Sequence, residues 1–241
     1  MRYTHVVAAF ALVGEFAFSI SPGGPASAAP CDGPAVAQIS MRTSDGVKIA
    51  GFLQGTGTVG VVLVHQVNKD HCGWAEEAAF LARRTMVLSL DLRGYGASAK
   101  GTGAKARVYR YDIAAAVAEV RKRGVSRVLL VGASMGGSAV VVAGASIKPA
   151  VDAVVAVSAP ANFQGQNAAA AAPLLTMPVR FVAARDDGTA AATADSLTLL
   201  ANASADARAE IYPAGGHGWT LMRPGKPAQE VVDSFLDALV A

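Results

Sequence analysis

Ser134 stands in Gly132-Ala133-Ser134-Met135-Gly136, directly after the apolar run Val128 to Val131 and before an apolar, alanine-rich stretch. A serine in that setting can act as a nucleophile. Where a strand turns sharply into a helix, the residue at the turn is lifted off the strand end and its backbone is strained. The positions two before and two after must then be small, because side chains there would collide. The helix N-terminus also aims backbone N–H groups at any anion that forms beside the hydroxyl. A phosphate-binding loop would need Gly-Lys-Ser/Thr after the glycines, and none follows.

A serine nucleophile needs a base. Of four histidines only His217 follows Ser134, in Ala214-Gly215-Gly216-His217-Gly218. In a strand–elbow–helix architecture the order along the chain is serine, acid, histidine. The acid belongs at the C-terminal end of a parallel strand, where loops assemble active sites. Asp152 opens its strand and so stands at the wrong end. Asp186 and Asp187, beyond the run Val179 to Ala184, are the acids at such an end between Ser134 and His217. One of the pair would orient the imidazole and stabilise its protonated form, leaving the other solvated or capping a turn.

These residues must be positioned by elements that the hydrophobic pattern reveals. Gln38 to Leu53 alternates around Ser44-Asp45-Gly46, which predicts a hairpin. Val59 to Val64, Thr85 to Leu92, Val125 to Val131, Val151 to Val157 and Val179 to Ala183 read as strands buried on both faces. Ala209 to Tyr212 is a further short strand. Helices are expected over Trp74–Arg84, Asp112–Arg123, Ser138–Ile147, Thr193–Leu200 and Pro227–Val240, and Ala168 to Ala172 is a low-complexity tract between elements. Alternating strands and helices predict an α/β fold: a mostly parallel central sheet with helices on both faces, preceded by an antiparallel hairpin.

Of the 241 residues, 52% are hydrophobic and 16% charged, which excludes intrinsic disorder. A net charge of +3 is too small to suggest nucleic acid. The N-terminus has the three parts of a secretory signal: Arg2, the apolar stretch Val6 to Ile20, and Ala26-Ser27-Ala28, a small-x-small cleavage site. The expected organisation is a signal peptide over 1–28 and a single domain over 29–241. The apolar stretch is too short to span a bilayer, so export to the periplasm or beyond is expected, without stable membrane insertion. Cys31 and Cys72 would remain, and an oxidising compartment favours a disulfide between them. His65, Asp70, His71 and Cys72 fall close together, but their spacing fits no common zinc pattern, so no metal is expected.

The elbow, together with Asp91-Leu-Arg93-Gly94-Tyr-Gly96-Ala-Ser98, resembles the α/β-hydrolase superfamily from about Gln38 to the end of the chain. The resemblance implies that Asp91 and Arg93 are structural. It also favours Asp187 as the acid, because aligning Ala184 with the family's Gly-x-x-Asp selects it. It implies an oxyanion hole built from the N–H groups of Met135 and, in place of the family's His-Gly-x, of Val67 in His65-Gln66-Val67. The activity implied is hydrolysis of a small-molecule carboxylic ester by Ser134, Asp187 and His217, with no cofactor. Only Ser158 to Pro178 separates two strands where the family inserts lids, so the site should be open. Peptide or amide cleavage on the same triad, and a non-catalytic binding protein of this fold, are the competing functions.

Overall fold

An apolar run with no polar alternation is stable as a strand only if layers cover both of its faces. The computed structural model, which describes residues 31, 35–226 and 228–240, supplies both layers; the expected leader and its cleavage site lie outside the described residues. In chain order the elements are β1 (Ala37–Arg42), β2 (Lys48–Gln54), β3 (Val59–Val64), α1 (Ala75–Leu81), β4 (Met86–Leu90) and α2 (Tyr109–Lys122). There follow β5 (Arg127–Ala133), α3 (Met135–Ser146), β6 (Ala153–Val157), β7 (Asn162–Phe163), β8 (Gln166–Asn167) and α4 (Ala168–Ala171). The chain closes with β9 (Val179–Ala184), α5 (Ala190–Leu200), β10 (Ala207–Tyr212) and α6 (Gln229–Val240).

Among the described residues the main sheet has eight strands in the order β1-β2-β4-β3-β5-β6-β9-β10. The β1–β2 hairpin and the β2–β4 pair are antiparallel, and every other pair is parallel. This is the expected mostly parallel α/β sheet with an antiparallel hairpin at its start.

All six residues of β3 are buried, and the pleat divides them between two cores. Val62 and Val64 pack with Ile113 and Val117 of α2 and with Val140 of α3. Val61 and Leu63 face the opposite way, onto Ala78 and Leu81 of α1 and Val232 and Leu236 of α6. Each such side chain contributes roughly 1.5–3 kcal/mol by leaving water. Loss of either helical layer would therefore strip alternate residues of every central strand.

Several element ends shift by a few residues from the sequence expectation, and three differences change the local structure. Helix α3 begins at Met135 rather than at Ser138, so the turn into it follows the strand without a spacer. The tract at Ala168 is helical, because the Asn167 side chain accepts the Ala170 N–H at 3.0 Å and caps it. A small hairpin, β7–β8, turns through Gln164 and Gly165, both at positive φ as a two-residue hairpin turn requires.

Glu77 lies on the buried side of α1 and is only 3% exposed, beneath α6. Burial pushes its carboxyl up to about 8, with the neighbouring Gln229 amide opposing the shift and the Asp233 charge adding to it. The unfolded chain loses this proton near its ordinary value while the folded chain keeps it, so stability falls as pH rises towards 8 and stays lower above. At about 1.4 kcal/mol per unit the total is on the order of a few kcal/mol. Glu77→Gln should therefore flatten the fall in melting temperature between pH 5 and pH 8.5. Parallel wild-type and variant curves would contradict this.

Candidate active site

Strands β5, β6, β9 and β10 are consecutive and parallel, so the loops at their C-terminal ends meet along one edge of the sheet. Those loops carry Ser134, Ser158, Asp187 and His217 in that order. Ser134 joins β5 to α3 at φ 52°, ψ −115°, a conformation that L-residues seldom adopt. Its N–H donates to Val157 O at 2.8 Å, and its carbonyl accepts from Ser138 N at 3.0 Å. The surrounding structure thus holds the strain in place.

The flanking glycines are required by distance. A Cβ on Gly132 would fall 2.2 Å from the Gly136 carbonyl oxygen, and one on Gly136 would fall 2.4 Å from that of Val64. Both obstacles are backbone and cannot swing aside. Gly136→Ala should accordingly cost about 3 kcal/mol, at the upper end of overpacking effects, by forcing β3 and α3 apart. A chemical denaturation midpoint equal to wild type would refute that.

His217 lies on the loop after β10, where Gly215, Gly216 and Gly218 all take positive φ. Its Nδ1 is 2.9 Å from both carboxylate oxygens of Asp187. Asp187 Oδ2 also accepts the Ser158 hydroxyl at 2.6 Å, and Ser158 Oγ in turn accepts the Gly218 N–H at 3.1 Å. Asp186 faces elsewhere, accepting the N–H groups of Gly215 and Gly216 at 3.2 Å. The two aspartates thus divide the work: one grips the imidazole, the other the backbone of its loop. With Asp187 on Nδ1, Nε2 is the ring nitrogen turned away from the carboxylate. Among the described residues no hydrogen bond joins Ser134 to His217, whose side chain is 48% exposed. Such contacts commonly tighten only when substrate is bound.

Met135 opens α3, and Val67 lies on the loop that leaves β3. Among the described residues neither N–H donates to a protein acceptor. Asp91 and Arg93 are held in the scaffold. Asp91 accepts from His71 N and Nδ1, both at 2.9 Å, and from Ala97 N at 2.8 Å. Burial opposes its ionisation, but these bonds outweigh burial and hold the carboxyl below the usual range. Arg93 bonds Asp112 and Asp45. His65 accepts the Leu92 N–H at Nε2, and burial lowers its pKa, so it stays neutral. Asp70 caps the turn at Cys72.

Two residues near the site escaped sequence reasoning. Ser158, at φ 48°, follows β6 directly and ties Asp187 to the His217 loop; a polar residue after the run Ala153–Val157 was the available signal. The other is Gln66, whose Oε1 would lie 2.0 Å from a Cβ on Gly218. Its amide fills space beside the His217 loop, so the departure from His-Gly is matched by a glycine across the site.

A parallel sheet with its polar groups gathered on strand-end loops beyond a strained serine is the architecture of an α/β hydrolase. Residues 60–205 match the family described as alpha/beta hydrolase fold, and the chain belongs to that family. No curated relative matches it in sequence. Among solved structures it is similar to an esterase of Pyrococcus furiosus, with 17% identity, TM-score 0.74, and coverage of 91% of this chain and 97% of that one. A thermophilic esterase from Thermogutta terrifontis superposes with TM-score 0.65 at 16% identity, covering 84% and 98%. An enol-lactonase from Burkholderia xenovorans gives 0.62 at 16%, again covering 84% and 98%. At these identities the likeness is one of fold.

Proposed function

We propose that the protein is an exported serine hydrolase that cleaves carboxylic esters of modest size through an acyl-enzyme. Ser134 Oγ attacks the ester carbonyl while His217 Nε2 takes its proton. The tetrahedral oxyanion is held by the N–H groups of Met135 and Val67. His217 then returns the proton to the leaving alkoxide, and a water molecule repeats the sequence to release the acid. Asp187 keeps the imidazole in the tautomer that leaves Nε2 as acceptor, and offsets its positive charge when it is protonated.

The observation that carries this reading is the Asp187–His217 pair on the strand edge that also bears the strained Ser134. The chain between β6 and β9 holds a two-stranded hairpin, one short α-helix and a single 3-10 turn, which favours small, accessible esters over lipid aggregates. Esterases and a lactonase among proteins of like fold support the same bond type. Export agrees with the expected leader and with the disulfide between Cys31 and Cys72. Among the described residues no helix is long and apolar enough to cross a membrane.

The test is labelling by a fluorophosphonate probe, with the modified peptide identified, followed by an ester and amide panel. Labelling at Ser134 and hydrolysis of short-chain nitrophenyl esters are expected. Folded protein that resists the probe would favour a binding protein of the same fold.

A further inference from the structure

The second group of reactive side chains lies off the active site, in the turn between β3 and α1. Cys72 forms a disulfide with Cys31, 41 residues away in sequence, with Cα atoms 5.3 Å apart. His71 stands against both sulfurs: its Nε2 is 3.6 Å from Cys31 Sγ and 3.5 Å from Cys72 Sγ. We propose that Cys31, Cys72 and His71 form a metal site that binds a thiophilic divalent cation such as zinc once the disulfide is reduced.

Geometry carries the assignment. With Zn–S near 2.3 Å and Zn–N near 2.0–2.1 Å, sulfur and nitrogen ligands of a tetrahedral zinc lie roughly 3.6 Å apart. The two Nε2–Sγ separations already have that value. The three candidate ligand atoms all fall within 4.8 Å of one another. The sulfurs need only separate to roughly 3.8 Å, the spacing of two thiolates on one zinc.

The imidazole is prepared for this role. Its Nδ1 meets Asp91 Oδ1 at 2.9 Å, and Asp91 is fully buried. An Nδ1–H donated to that carboxylate leaves the Nε2 lone pair facing the sulfurs, the carboxylate–histidine–metal arrangement that orients a ligand and raises its basicity. Phe52 stacks on the ring at 3.3 Å between centroids and 6° between planes, which fixes its plane. A cavity of about 450 Å³, lined by Cys31, Cys72, Glu76, Trp219 and Arg223 among others, provides an approach to both sulfurs.

The exchange balances. A dithiol reductant supplies two electrons: one of its thiolates attacks a protein sulfur, the Cys31–Cys72 bond breaks, and the reductant closes into its own disulfide. Two protein thiols result. Metal uptake then replaces both thiol protons, which pass to solvent. In its oxidised form the pair is a covalent staple; reduced, it is a Cys₂His ligand set. The sequence pairs Cys31 with Cys72, but only the fold turns the His71 ring onto both sulfurs.

Cobalt(II) tests the proposal independently of any activity of Ser134. The full chain is reduced with dithiothreitol, desalted without oxygen, assayed for two thiols and titrated with cobalt chloride. One equivalent should bind, with a near-ultraviolet thiolate-to-cobalt charge-transfer band and intense visible bands of tetrahedral cobalt. The oxidised protein should show neither. His71→Ala should weaken binding at least tenfold, and Cys31→Ser, which leaves the interior turn untouched, should halve the charge-transfer intensity per cobalt. Reduced protein that carries two thiols but develops no charge-transfer band would overturn the proposal. So would loss of far-ultraviolet circular dichroism on reduction, or wild-type affinity in His71→Ala.

Discussion

Ser134→Ala is expected to lower turnover of a short-chain nitrophenyl ester by roughly 10⁴–10⁶-fold, the range seen when a serine nucleophile is removed from a triad. In the proposed mechanism the loss is large because the hydroxyl supplies the atom that forms the acyl bond. Ser134 is held by its backbone, through Val157 O and Ser138 N, and those bonds survive the substitution. The variant should therefore melt with the wild type while losing fluorophosphonate labelling altogether. Residual hydrolysis above the rate in water would come from the oxyanion donors and binding alone. A variant keeping more than about a tenth of the rate would place the nucleophile elsewhere, since loss of a triad serine leaves far less.

Asp187→Asn should cost roughly 10³–10⁴-fold in turnover, and Asp186→Asn no more than a few-fold. The contrast follows from which atoms each carboxylate holds. Asp187 is 2.9 Å from His217 Nδ1 at both oxygens, whereas Asp186 accepts only the N–H groups of Gly215 and Gly216. An amide at 187 can present its NH₂ to Nδ1, favouring the tautomer with the proton on Nε2, where a general base cannot use it. It also removes the charge that balances the imidazolium. An amide at 186 keeps an acceptor oxygen for the glycine N–H groups. The decisive measurement is turnover at saturating ester for both variants, alongside their melting temperatures. A larger loss at 186 would mean that seating the loop matters more than orienting the ring, and would reverse the assignment.

Much of the positioning is local and therefore legible in residue order. Gly132 announces the elbow because the Gly136 carbonyl, four residues on, leaves no room for a Cβ, whereas Gly136 must stay bare because Val64 O of β3 packs against it. Val59 to Val64 announces a doubly covered strand because each of its side chains must leave water. The helix start at Met135 was less legible, since Met-Gly-Gly has weak helix propensity and the elbow itself sets the boundary. Ser158 was signalled only as a polar residue after an apolar run and Gln66 only as a departure from His-Gly; the role of each depends on a partner brought near by the fold, Asp187 and Gly218.

By itself the residue order determined a mostly parallel α/β sheet, the strand end at which Ser134 stands, and the short list of acids and histidine able to serve it. Apolar periodicity and the steric needs of one turn are short-range effects, so they survive in a linear string. Only the tertiary structure decided that Asp187 grips the His217 ring while Asp186 grips its loop, and that His71 stands against both sulfurs of the Cys31–Cys72 bond. Those outcomes depend on ångström-scale approach between strand-end loops and turns far apart in sequence, and on the direction in which each side chain leaves its backbone. No pattern along the chain encodes such distances; the sheet sets them when β9 and β10 pair in register and residue 31 is stapled to the turn after β3.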